Sequence, residues 1–145
     1  MKKKVLITGH CGYVGTQLVK KLLEKNYEVI GIDNMWYHQI SIIHPNLISK
    51  KLDIRDISKF DFPENIDCVF HFANVANDPS VELNEKLSWE INVLAGYELI
   101  KKCVDKKVKK FIFASSGSVY GLKDEDKVTE DLSLVPISAY NKTKM

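Results

Sequence analysis

Short apolar runs alternate along this chain with longer segments of helical periodicity. Val5-Leu6-Ile7 reads as a first buried strand. From Gly12 to Lys25 apolar residues return every three or four positions. Val14, Leu18, Val19, Leu22 and Leu23 fall on one stripe, which predicts a helix. Glu28 to Ile32 predicts a second strand ending at Asp33, and Leu47 to Leu52 a third ending at Asp53. Cys68-Val69-Phe70-His71-Phe72 predicts the fourth. A long helix is expected over Asn84 to Lys106, with Leu87, Ile91, Leu94, Ala95, Leu99, Cys103 and Val104 facing inward. Phe111-Ile112-Phe113-Ala114 predicts a fifth strand leading into Ser115-Ser116. After a polar loop, Pro136 to Ser138 prepares a last helix carrying Tyr140 and Lys144.

Strands alternating with helices in this way predict an α/β domain, a doubly wound parallel sheet of Rossmann type with about five strands. Residues 1–145 are long enough for one domain, which would bury about two-thirds of its unfolded surface. Right-handed crossovers bring the loops after the strands to one edge of the sheet. The glycine loop, Asp33, Asp53, Ala73-Asn74 and Ser115-Ser116 all fall there. The loop from Met35 to Pro45, a mixture of aromatics and histidines, has no role derivable from its residues.

Composition narrows the function classes. Apolar residues make up 45% and charged residues 28% of the chain, which argues against disorder. A net charge of +2, with dispersed lysines, does not describe a nucleic-acid groove or a membrane surface. No segment is long enough to span a bilayer, and Thr8-Gly9 interrupts the first apolar run too early for a signal peptide. Cys11, Cys68 and Cys103 are odd in number and lack metal-type spacing, so no metal site is expected. Cys68 and Cys103 read as core thiols, and the natural setting is the reducing cytoplasm.

Gly9-His10-Cys11-Gly12-Tyr13-Val14-Gly15 lies between a strand and a helix, the position of a dinucleotide-binding loop. Glycines there let backbone N–H groups approach a pyrophosphate, and the helix N-terminus adds partial positive charge. Asp33 stands eighteen residues after Gly15, near the spacing of the acid that accepts from the adenosine ribose. A carboxylate there repels a 2′-phosphate, and the one arginine, Arg55, is not beside it, so NAD is favoured over NADP. Asp53-Ile54 could face the adenine; Asp53 reads equally well as a helix N-cap.

A tyrosine phenol is a poor base at neutral pH unless a cation stabilises its phenolate. Lysine four residues later on a helix lies on the same face. Tyr140 and Lys144 satisfy this spacing, but so do Tyr97 and Lys101. Position separates them, because Tyr140 follows the fifth strand whereas Tyr97 lies mid-helix and reads as structural. Ser116 is a candidate third member able to orient a substrate hydroxyl, with Ser115 and Ser118 competing on spacing.

Together these segments resemble the extended short-chain dehydrogenase/reductase superfamily, and within it nucleotide-sugar epimerases of the NAD-dependent epimerase/dehydratase family. Thr8-Gly9-His10-Cys11-Gly12-Tyr13-Val14-Gly15 resembles the family's TGxxGxxG loop, and Asp33-Asn34 its ribose-binding acid. Asp53-Ile54-Arg55-Asp56 resembles the adenine-side element, and His71-Phe72-Ala73-Asn74 the HxAA stretch beside the cofactor. Asn92 matches a helix asparagine. Ser115-Ser116-Gly117-Ser118-Val119-Tyr120-Gly121 resembles the SSxxVYG signature. The resemblance implies NAD contacts at Gly9, Gly12, Tyr13, Val14, Gly15, Asp33, Asn34, Asp53, Ile54, Phe72, Ala73, Asn74, Asn92, Tyr140 and Lys144. It makes Ser116, Tyr140 and Lys144 the catalytic residues, with Tyr140 as base.

The resemblance also implies a nucleotide-sugar substrate, a homodimer for a full-length form, and a C-terminal substrate domain missing from an NAD-binding domain that is incomplete at its C-terminal end. Gly117 and Ser118 stand where dehydrating members carry Asp-Glu, which argues against 4,6-dehydratase chemistry. Asn74 and Ala76 depart from the pattern of some epimerases. A reductase on the same scaffold, or a non-catalytic dinucleotide-binding module, remain as alternatives.

Overall fold

The computed structural model describes residues 2–37 and 42–145. Residues 38–41, part of the loop without a derivable role, lie outside the described residues. Five parallel strands form one sheet: β1 (Lys4–Thr8), β2 (Glu28–Asp33), β3 (Leu47–Lys51), β4 (Cys68–His71) and β5 (Lys110–Phe113), in the order β3-β2-β1-β4-β5. The chain winds outward from β1 to β3, then crosses to β4 on the other side of β1. That reversal opens a crevice at the carboxyl ends of β1 and β4, the usual ligand position in open α/β sheets.

β1 is paired on both edges, Leu6 with Ile30 and Val69 in register. Its alternating side chains feed two separate cores. Val5 and Ile7 pack with Val19, Leu22 and Leu23 of helix α1 (Tyr13–Glu24). Leu6 packs on the opposite face with Ile57, Val69 and Leu99. Burying each large aliphatic side chain contributes roughly 1.5–3 kcal/mol, so this central strand anchors the sheet. Covering both faces explains why β1 and β4 read as continuous apolar runs rather than alternating ones.

The expected long helix is instead a relay. Helix α2 (Asp78–Glu82) precedes α3 (Glu85–Trp89), which passes through a π-helical turn at Glu90–Leu94 into α4 (Ala95–Asp105). Asn84 caps α3, its side chain accepting from the Leu87 N–H, as its position at the predicted start implies. Two residues expected inward face outward: Leu94 is 60% and Val104 69% exposed. The buried stripe steps through Ala95, Leu99 and Cys103, and each neighbour in sequence lies about 100° round the helix from it. Val14 is likewise 57% exposed, while Gly15, Val19, Leu22 and Leu23 form the buried stripe of α1. Cys103 is buried as expected, and Cys68 is only partly so. Helix α5 (Ala139–Lys144) closes the chain, capped by Ser138, whose hydroxyl accepts from the Asn141 N–H.

Candidate functional site

The loop after β1 turns tightly because Gly9 adopts φ +74° and Gly15 sits against it. A Cβ on Gly15 would lie 2.1 Å from the Gly9 carbonyl oxygen, and one on Gly9 would lie 2.7 Å from the Ala73 nitrogen. The loop is thus pressed against Phe72-Ala73 after β4. The Gly9 N–H donates to the Ile32 carbonyl at 2.8 Å, joining the loop to the end of β2. Asp33 completes this union: one carboxylate oxygen accepts from the Cys11 N–H at 2.9 Å and the other from the Met35 N–H at 2.7 Å. Helix α1 begins at Tyr13, with Gly12 at its N-cap position, no side-chain cap and no acidic residue in its first turn. Its first-turn N–H groups and positive dipole end therefore have no capping side chain or acidic residue of their own helix, a fit for a pyrophosphate.

Other cofactor candidates differ in their freedom. Asn34 closes a turn by accepting from the Trp36 N–H. Asp53 caps the 3₁₀ turn Ile54–Lys59 and is gripped by the Arg55 guanidinium at 3.0 and 2.8 Å, which holds its carboxyl below the usual range. Ile54 puts its side chain into the core, so that side chain is not available to a ligand. Asn74 donates to the Phe72 carbonyl, while its own Oδ1 is buried without a partner.

A second group of residues gathers at the end of β5. Lys144 is 2% exposed; its ammonium donates to the Ala114 carbonyl at 2.9 Å and lies 5.0 Å from the Phe113 ring centre. Burial pushes this amine down from 10.5 to about 8. The Ser115 hydroxyl donates to the Lys144 carbonyl, so Ser115 serves to hold α5. Ser116 and Ser118 share a 2.7 Å hydroxyl contact, and Ser116 caps the 3₁₀ turn Gly117–Tyr120. Tyr140 lies half-buried in the first turn of α5.

Asn92, inside the π-helical turn, links the two groups. Its Oδ1 accepts from the Val75 N–H at 2.7 Å, and its Nδ2 donates to the Val75 carbonyl and to Thr143 Oγ1, each at 3.0 Å. The segment after β4 is thereby tied to the helix that carries Tyr140 and Lys144.

A family model described as the NAD dependent epimerase/dehydratase family matches residues 5–145. The chain belongs to this family. UDP-glucose 4-epimerase of Lactobacillus helveticus is 32% identical over 98% of the chain and 44% of its own length. The Bacillus subtilis enzyme of the same name is 31% identical over 97% of the chain and 44% of its length. Among solved structures, UDP-N-acetylglucosamine 4-epimerase from Methanobrevibacter ruminantium has a TM-score of 0.90 at 30% identity, covering 99% of the chain and 48% of that protein. Thermus thermophilus UDP-glucose 4-epimerase, solved with NAD, has a TM-score of 0.86 at 28% identity over 97% of the chain and 47% of its own. The chain spans about half the length of these relatives.

Three contacts at this edge of the sheet escape a reading of the sequence. Thr8, within the glycine motif, bonds His71 Nδ1 at 2.6 Å and accepts from the Ala73 N–H at 3.2 Å, locking β1 to β4. His71 is buried, its Nε2 without a partner, and burial pushes its pKa down to about 4. Thr143 shows no periodic or motif signal, yet it receives Asn92. Tyr97, the duplicate of the tyrosine motif, is exposed on α4 with the Lys101 ammonium over its ring at 5.6 Å. It stands in the first turn of α4.

Proposed function

We propose that residues 1–145 are the NAD-binding portion of a nucleotide-sugar 4-epimerase. The uncapped N-terminus of α1, with Asp33 beside the glycine loop, carries this reading. First-turn N–H groups at Tyr13, Val14 and Gly15 would take the pyrophosphate, and Asp33 the adenosine ribose. NAD, when bound, would supply reversible hydride transfer at the sugar C4 carbon.

The chain's own groups handle the rest. Tyr140 takes the proton of the 4-hydroxyl, and Ser116 orients that hydroxyl. Lys144, on the same face of α5, stabilises the phenolate by its charge and is held by the Ala114 carbonyl at the end of β5. Its lowered pKa, about 8, leaves it mainly protonated at neutral pH. Asn92 acts as a positioning residue through Thr143. The free thiols fit a cytoplasmic setting, and no described helix is long and apolar enough to cross a membrane. The outward apolar residues Leu94, at the end of the π-helical turn, and Tyr97 and Val104 of α4 support a homodimer in the full-length form.

The test is NAD titration of the 145-residue chain beside a turnover assay with UDP-glucose and UDP-N-acetylglucosamine. NAD binding supports the cofactor reading, and epimerisation with NAD returned unchanged would establish the reaction. Stoichiometric consumption of cofactor would favour a reductase. Binding without turnover would favour a dinucleotide-binding module, and no binding would refute the reading.

A further inference from the structure

Cysteine spacing gives no sign of a metal centre, but β2 brings Asp33 to two donors of the glycine loop. We propose that His10, Cys11 and Asp33 form a binding site for a thiophilic divalent cation of the zinc class, and that a metal held there blocks the dinucleotide at Asp33. The second half of this inference rests on Asp33 being the ribose acid; the first does not.

The donor atoms carry the proposal. His10 Nε2 and Cys11 Sγ lie 3.4 Å apart, and one atom from each of His10, Cys11 and Asp33 lies within 4.8 Å of the others. Tetrahedral zinc, with bonds of about 2.0–2.3 Å, separates its ligand atoms by roughly 3.4–3.6 Å. The imidazole–thiol pair already has that spacing, and the carboxylate needs to close by about an ångström. The two loop donors are held in place by burial, at 4% and 5% exposure. The His10 ring also lies over Gly31, where a Cβ would come within 2.3 Å of the ring carbons. The Ser49 hydroxyl, 2.6 Å from the same Nε2, must yield to the metal, and water takes the fourth position.

A thiolate, an imidazole and a carboxylate select zinc or cobalt over magnesium and calcium. Binding breaks the Cys11 S–H bond and forms a metal–sulfur bond, releasing one proton to solvent without any change of oxidation state.

Cobalt(II) is the probe. Titration of the 145-residue chain should give one equivalent of tetrahedral cobalt with a thiolate charge-transfer band, displaced by zinc. The band should vanish in Cys11→Ser and persist in Cys68→Ser and Cys103→Ser. No band in the native chain, or one that survives Cys11→Ser, overturns the proposal. If Cys11→Ser does not fold by circular dichroism, Asp33→Asn decides: cobalt binding at least about tenfold weaker supports the site, and unchanged binding overturns it. Saturating zinc should weaken NAD binding about tenfold or more, the loss of one charge-assisted hydrogen bond. Unchanged NAD affinity would overturn the exclusion. Cobalt bound through Cys11 by a chain that never binds NAD would refute the cofactor reading and leave the metal site standing.

Discussion

Removing the Asn92 side chain should both destabilise the domain and loosen the helix that carries Tyr140 and Lys144. The amide makes three hydrogen bonds, at 2.7, 3.0 and 3.0 Å, from a site that is 4% exposed. In Asn92→Ala the Val75 N–H loses its acceptor in a half-buried segment, which costs about 1–3 kcal/mol, and two weaker contacts add about 1 kcal/mol. The expected total is about 3 kcal/mol, a fall in Tm of roughly 10 °C for a domain of this size. Thr143→Val removes one of the three bonds, together with the bond its hydroxyl donates to the Tyr140 carbonyl at 2.8 Å, and should cost about 1–2 kcal/mol. Urea denaturation of the native chain, both single variants and the double variant closes a thermodynamic cycle. Because Asn92 and Thr143 touch, the double variant should fall short of the sum of the singles by about 0.5–1 kcal/mol. An Asn92→Ala cost below about 0.5 kcal/mol, or strict additivity, would refute the linking role.

Other residues give sharper pH and steric tests. His71 has its pKa lowered from 6.5 to about 4, so the unfolded chain binds the extra proton between those values. Stability should therefore fall by up to about 3 kcal/mol as pH drops from 6.5 to 4, read by urea denaturation, and His71→Gln should flatten that slope. Lys144 has its pKa lowered from 10.5 to about 8, so its burial cost is present below pH 8 and relieved as pH rises to 10.5. Across that window the native chain should gain up to about 3 kcal/mol relative to Lys144→Met; a constant difference would show that the amine is not desolvated. Gly15→Ala drives a methyl to 2.1 Å from the Gly9 oxygen and should cost at least about 2 kcal/mol, with loss of NAD binding. A thermal melt and a cofactor titration on the same sample would check it.

Much of this architecture is legible in the sequence because both faces of the sheet are covered. Val5-Leu6-Ile7 can be nothing but apolar when it feeds a separate core on each side. Asn84 and Ser138 announce their helices because short polar side chains satisfy first-turn N–H groups. Periodicity could not reveal the π-helical turn. One wide turn leaves the local pattern nearly helical, and its reason, the reach of Asn92 to Val75 and Thr143, depends on tertiary contacts. The same limit applies at Leu94, Val104 and Val14, where apolar character was no guide to facing. Asp33 could be found by counting from Gly15, but its bond to the Cys11 N–H required the fold. Lys144 reads as a charged helix residue, and only packing against Phe113 and Ala114 shows that it is buried.

The central claim, that the carboxyl edge of this sheet is an NAD site read through Asp33, is tested most directly by calorimetric titration. NAD and NADP would each be titrated into the native chain and into Asp33→Ala. The account predicts NAD binding at least about tenfold tighter than NADP, with that preference lost in the variant, because a carboxylate accepting from ribose hydroxyls cannot also accommodate a 2′-phosphate. Equal affinity of the native chain for the two cofactors, or no binding of NAD, would contradict it.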